Sequence, residues 1–183
     1  MKKNNSLRCL LSVFVLLVSM PLFAYDLTND GIFYNVKSDG TLEVAGLASW
    51  TTRADIPSSI TLDGTKYRVT SIGESAFEGR SDITYLSLQY SIKSIGNNAF
   101  RDCGSNMTVN IANLDAWCKM ELGNEHSSPL SSAGKVLLYD VETTSINIPE
   151  TITSIGKYTF YQCRSNTFLA PKSPNRRSEE RFS

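Results

Sequence analysis

The phrase TSIGESAF at residues 70–77 returns as KSIGNNAF at 93–100 and as TSIGKYTF at 153–160. No other feature constrains the chain as much, because units that recur in phase must fold alike and stack on one another. Aligned on the glycine, Ile72 and Gly73 recur 23 residues later as Ile95 and Gly96, while Leu86 and Leu88 recur as Val109 and Ile111. Alternating apolar residues point one face of a short parallel strand inward, and that face is buried only when another coil lies beside it. The glycine after isoleucine suits a turn needing positive φ or a close backbone approach. Phe77, Phe100 and Phe160 are expected to form an interior column, each side chain contributing about 3–5 kcal/mol.

A 23-residue period with Ile83, Leu86 and Leu88 in the pattern I-x-x-L-x-L lies within the range of leucine-rich repeats. The spacing also shows where regularity fails. Ile111 to Ile148 is 37 residues, one period plus 14, so the stretch 112–144 is an irregular coil. It suggests a short helix at 115–119, a polar turn near Pro129 and Leu130, and a β-run at 136–139. Ile56 to Gly73 exceeds the regular spacing by nine residues, and Asp63-Gly64 marks a hairpin that would hold the surplus. Ahead of it, GIFYNVKSDGTLEVAG reads as a second hairpin turning at Asp39-Gly40 and capping the first coil.

The chain of 183 residues is 41% hydrophobic, enough for one domain with a core. Lys2, Lys3 and Arg8 precede an apolar run from Leu10 to Met20 and a breaker at Pro21, the layout of a secretory signal peptide over 1–24. Its apolar core is too short for a membrane span, so no integral span is expected after leader removal. The remaining chain has 15 basic and 18 acidic residues, which gives nucleic acid no basic surface to bind. Cys103, Cys118 and Cys163 are odd in number and lack the short spacings of a metal site or disulfide framework.

No chemistry-bearing constellation emerges. His126 is the sole histidine and lies in the polar stretch GNEHSSP, away from any partner pattern for nucleophilic catalysis. The sequence holds no phosphate loop, H-E-x-x-H or EF-hand pattern, so neither an enzyme nor a cofactor is expected. Trp117 reads as packing of the short helix on the core. Aligning the strands places outward side chains in rows across the coils. The first row is Arg53, Tyr85, Thr108 and Ser145. The second is Asp55, Ser87, Asn110 and Asn147, and Gln89 extends strand Leu86–Leu88 beyond it. Between the rows Ala54, Leu86, Val109 and Ile146 face inward. These polar rows, with Tyr85 as the aromatic, form the expected ligand-binding face.

The S-I-G-x-x-A-F-x-x-C coils, together with DGIFYNV, NLDAWCKMELGN and SINIPETITSIGKYTFYQC, resemble the BspA-like leucine-rich-repeat proteins of bacterial surfaces over residues 25–163. The resemblance implies a leucine-rich-repeat solenoid, with short parallel strands stacked into a sheet and short helices or turns on the opposite side. It implies a secreted or surface-exposed binding module for an extracellular protein or glycan, in a family linked to adhesion to host matrix proteins and other cells. The expected organisation is a hairpin cap over 25–48, a solenoid over 49–168 and a disordered tail over 169–183. The chain beyond Cys163 shows no strand pattern, which exposes the last coil and favours end-to-end self-association. The alternative function is a spacer within a larger, truncated or frameshifted adhesin.

Overall fold

The computed structural model describes residues 25–163 and the strand at 167–169. The expected leader over 1–24, and nearly all of the expected tail, lie outside the described residues. The chain opens with an antiparallel meander of β1 (Leu27–Asn29), β2 (Ile32–Val36) and β3 (Leu42–Leu47). Its second turn is set by Asp39, whose carboxylate accepts from the Thr41 amide at 2.9 Å and the Thr41 hydroxyl at 2.7 Å. After β4 (Arg53–Asp55), β5 (Ser59–Leu62) and β6 (Thr65–Ile72) form the hairpin expected at Asp63-Gly64, where both residues have positive φ, 47° and 80°.

From there each coil contributes twice. Its apolar strand enters one sheet: β7 (Tyr85–Leu88), β9 (Met107–Ile111) and β11 (Ala133–Leu138) run parallel to β4, and β12 (Val141–Thr143) closes the edge as a hairpin partner of β11. Its S-I-G phrase enters another. The end of β6, β8 (Ser94–Ile95) and β10 (Glu121–Leu122) stack in parallel and carry the meander on the outer side of β6 through β3. The side opposite the main strands is therefore a ladder of short strands and turns, with one short α-helix among the described residues, α1 (Leu114–Cys118), capped by the Asn113 side chain, and 3-10 turns at Glu125–Ser127 and Pro129–Ser131. Leu86, Val109, Ile72, Ile95 and Phe100 fill the space between the sheets and are all buried.

The repeated glycine serves close approach rather than positive φ. A Cβ at Gly96 would lie 2.5 Å from the Glu74 nitrogen and 2.8 Å from the Gly73 carbonyl carbon, both backbone of the preceding coil. The left-handed position falls two residues later, at Ser75, Asn98 and Tyr158 (φ 55°, 56° and 66°). Together these explain why G-x-x-A-F is kept as a unit while its x positions vary.

The irregular coil conceals a degenerate copy of the phrase. Gly123 donates its N–H to the Ile95 carbonyl at 3.0 Å, just as Gly96 donates to Ile72 at 2.8 Å, so Glu121-Leu122-Gly123 stands where Ser94-Ile95-Gly96 stands one coil earlier. The surplus of 14 residues divides accordingly, with four before Gly123, where α1 lies, and ten before Gly156, where β12 and β13 (Ser145–Asn147) lie. Ser127 takes the phenylalanine position and donates its hydroxyl to the Gly96 carbonyl at 2.8 Å. The expected aromatic column is thus interrupted. Phe77 and Phe100 meet at 5.1 Å, but Phe160 packs edge-on against Trp117 at 6.5 Å. Trp117 is core, as its sequence context indicates. The chain after Cys163 does contain a strand, β14 (Thr167–Leu169), which pairs in parallel with β13 and corrects the expectation that no strand follows.

Candidate ligand-binding face

In the five-stranded sheet the residue 13 positions after each phrase glycine points inward: Leu86 after Gly73, Val109 after Gly96, Val136 after Gly123. Their neighbours on either side define the outer face. Arg53, Tyr85 and Thr108 align in register as expected, and so do Asp55, Ser87 and Asn110. The fourth members differ. Lys135 pairs with Thr108 and Leu137 with Asn110, because β11 begins at the regular distance from Gly123 and takes the next place in the sheet. Ser145 and Asn147 are exposed but lie on β13, whose partner is β14 in a separate ladder, and Ile146 is likewise the inward residue of that ladder's strand.

The two rows also differ in character. In the first, the Arg53 guanidinium sits 3.7 Å from the Tyr85 ring centroid. Its Nε pairs with the Asp55 carboxylate, and its Nη2 donates to Asp55 Oδ1 at 3.1 Å. That hydrogen bond to Asp55 is the main cause raising the Arg53 pKa above its ordinary value. Arg53, Asp55 and Lys135 are exposed and Tyr85 and Thr108 half-buried, so the first row offers cation, aromatic, hydroxyl and cation in succession. Lys135 also reaches Glu142 on the edge strand at 3.2 Å.

The second row is internally consumed. Ser87 and Asn110 are 5% and 2% exposed, contrary to the expectation that both face solvent. The turn after β11 folds over them. Asn110 Nδ2 donates to Asp140 at 2.6 Å and to Ser87 Oγ at 3.4 Å, and Asn110 Oδ1 accepts from the Asp140 amide at 3.2 Å. Tyr139 and Asp140 both adopt positive φ (55° and 65°), which directs the turn back onto the sheet. Asn110 therefore fastens the β11–β12 hairpin. Gln89, one residue past β7, is half-buried at the sheet's end.

Elsewhere, an open depression of about 350 Å³ on the second sheet is lined by Glu43, Glu121, Gly96, Gly123 and Ile95 among others. His126 is exposed, its ring 4.0 Å from Glu125, while its backbone carbonyl accepts from Phe100. Among the described residues no group of three or more His, Cys, Asp or Glu is arranged to hold a metal ion, and no helix is long and apolar enough to cross a membrane. Burial pushes the Cys103 and Cys118 thiols up to about 12, which keeps them protonated and poor nucleophiles. Sequence reasoning expected the β-run at 136–139 but gave the place beside β9 to Ser145–Asn147, and so missed Lys135 and Leu137 as the fourth members of the rows. It also passed over Trp50, which carries no periodic signal.

The profile of the BspA-type leucine-rich repeat region, in six copies, matches residues 56–120 and 125–183. Two solved structures are similar to this chain. A leucine-rich repeat protein from Bacteroides ovatus is 26% identical over 80% of this chain and 42% of its own, at a TM-score of 0.49. A leucine-rich cell surface protein from Faecalibacterium prausnitzii is 21% identical over 79% of this chain and 42% of its own, at a TM-score of 0.53. The chain thus spans about two fifths of the length of both. No curated protein matches it.

Proposed function

Because this chain belongs to the BspA-type leucine-rich-repeat family, we propose that it is a non-catalytic binding module working outside the cell, on the bacterial surface or released from it. It takes an extended protein ligand, such as a host matrix protein, across the outer face of the five-stranded sheet. The observation that carries this reading is the Arg53–Tyr85 stack. Its cation is already held over the ring and braced by Asp55, so a ligand meets an ordered aromatic and charged pair and little side-chain freedom is lost on binding. Thr108 and Lys135 continue the row with hydrogen-bonding and cationic groups spaced at the strand interval of ~4.8 Å, which suits a partner lying across the strands.

The test is binding of the chain to immobilised collagen and fibronectin, with Tyr85→Ala and Arg53→Ala as variants. Affinity should fall by roughly tenfold for each, with the thermal midpoint nearly unchanged because both side chains lie on the outer face. Unchanged affinity in both variants would remove the sheet face as the site. A second reading, a spacer whose ligand is carried by other coils of a longer adhesin, rests on the 42% coverage of the two similar structures. It predicts no saturable binding by this chain to either protein.

A further inference from the structure

We propose that Trp50 and the turn beside it form a carbohydrate-binding subsite, separate from the sheet face and independent of the reading given for it. Trp50 is 74% exposed, more than any other large apolar side chain among the described residues. The segment that carries it is nevertheless tightly held. Ala48 donates its N–H to the Gly31 carbonyl at 2.8 Å, and Thr51 donates to the Ala48 carbonyl at 2.9 Å. The Arg80 guanidinium donates to the carbonyls of Leu47 at 3.0 Å and Thr51 at 2.7 Å, and Asp82 fixes it from behind with contacts of 2.8 and 2.9 Å. One edge of the indole rests on Gly31, where a Cβ would lie 2.8 Å from Cη2. Gly31 meets that approach in a left-handed conformation, φ +75°, which only glycine adopts at low cost. The result is a rigid aromatic plate with most of its surface open to solvent.

The surroundings select a sugar as its occupant. The described residues exposed beside the plate in the chain, and those just before Gly31, are polar. Ser49, Thr52 and Arg53 beside it in the chain are exposed, and next to Gly31 stand Asn29 and Asp30, the Asn29 amide donating to the Asp30 carboxylate at 3.0 Å. A protein hot spot is ringed by residues that exclude water, whereas an isolated ring with a polar rim matches the two sides of a pyranose, an apolar C–H face and a belt of hydroxyls. The Thr51 hydroxyl lies against the same Gly31 edge as the indole and is enclosed there, so that edge is backed by buried structure while the rest of the ring stays open to a ligand. In the complex the sugar ring stacks on the open face of the indole, and its hydroxyls bond to the Asp30 carboxylate.

The chain has two tryptophans, and the other, Trp117, is 1% exposed, so changes in the solvent-exposed emission report on Trp50. The experiment titrates the full chain with neutral hexose, N-acetylhexosamine and sialylated oligosaccharides, reading tryptophan fluorescence and calorimetry. At least one class should quench saturably. Trp50→Ala should lower that affinity by roughly tenfold or more, and Asp30→Asn, which keeps the left-handed backbone accessible, should lower it severalfold. Tyr85→Ala should leave it unchanged, so failure of this site and failure of the sheet face are read separately. Saturable binding by no class, retention of affinity in Trp50→Ala, or a Trp50 signal given by neutral phospholipid vesicles and by none of the sugars would each overturn the proposal.

Discussion

Replacing Gly96 by alanine isolates the packing of one coil on the next. The residue has no positive φ, so alanine suits its backbone, and on conformational entropy alone the substitution would stabilise the protein by about 0.4–1 kcal/mol. The contact decides otherwise. The new Cβ would stand 2.5 Å from the Glu74 nitrogen, about 0.9 Å short of ordinary contact, against backbone that no rotamer change can move. Restoring contact by separating the coils would stretch the hydrogen bond from Gly96 to the Ile72 carbonyl well beyond its 2.8 Å. A lost hydrogen bond contributes about 1 kcal/mol and overpacking about 1–3 kcal/mol, so the net destabilisation expected is about 2–3 kcal/mol. Gly40→Ala is the control, since its Cβ meets nothing within 4 Å and only its φ of +76° opposes alanine, at about 1 kcal/mol. Urea unfolding of both variants, with unchanged slopes, gives the comparison directly. If Gly96→Ala destabilises no more than Gly40→Ala, the phrase glycine is not there for coil contact and the stacking argument fails.

Asn110→Ala should destabilise by about 1–3 kcal/mol, since it strips the buried hydrogen bonds to Asp140 and Ser87; a shift in unfolding midpoint within error would mean that the hairpin does not depend on it. With the Cys103 and Cys118 pKa values raised by burial from 9.0 to about 12, their contribution to stability is complete below pH 9 and is lost as pH rises toward 12. Unfolding midpoints measured from pH 8 to 10.5 should therefore fall more steeply than in the Cys103→Ala, Cys118→Ala double variant, and equal slopes would refute the assignment. Amide exchange should be slowest at β7 and β8, each paired on both sides, and fastest from Ile146 onward, where among the described residues β13 and β14 pair only with each other; the reverse order would contradict the sheet arrangement.

How much of this fold can be read from the chain follows from what each residue type must do locally. The phrase copies were legible because Ile72 and Ile95 face the core and Gly73 and Gly96 face a neighbouring backbone, roles that tolerate no other chemistry. The copy at Gly123 was not legible, because α1 supplies apolar volume through Leu114, Trp117 and Cys118, all buried, and Ser127 can then stand where phenylalanine stood. Once the large residue is dispensable, the phrase shrinks to one glycine and an apolar residue ahead of it. The second ladder was hidden for a related reason: two-residue strands such as β8 are too short to show alternation.

The candidate face was legible only as far as register alone determines exposure. Aligning the strands places Arg53, Tyr85 and Thr108 side by side, and they are so placed. Whether an outward residue meets solvent depends on what the chain lays over it later. Ser87 and Asn110 are outward by alternation, yet Asp140, 30 residues after Asn110, covers them from a turn whose left-handed pair, Tyr139 and Asp140, has no glycine to announce it. Trp50 shows the converse, since nothing in its periodicity distinguishes it from a core tryptophan such as Trp117. The difference lies in Gly31 and Arg80, far apart in sequence, which hold the Trp50 segment in place while leaving the ring outside. Strand order thus decides which side chains point outward, and long-range contacts with irregular segments decide which of them a partner can reach; that is why the stacked pair of Arg53, exposed on the edge strand, and Tyr85, half-buried on its neighbour, is the part of the expected face on which binding should depend.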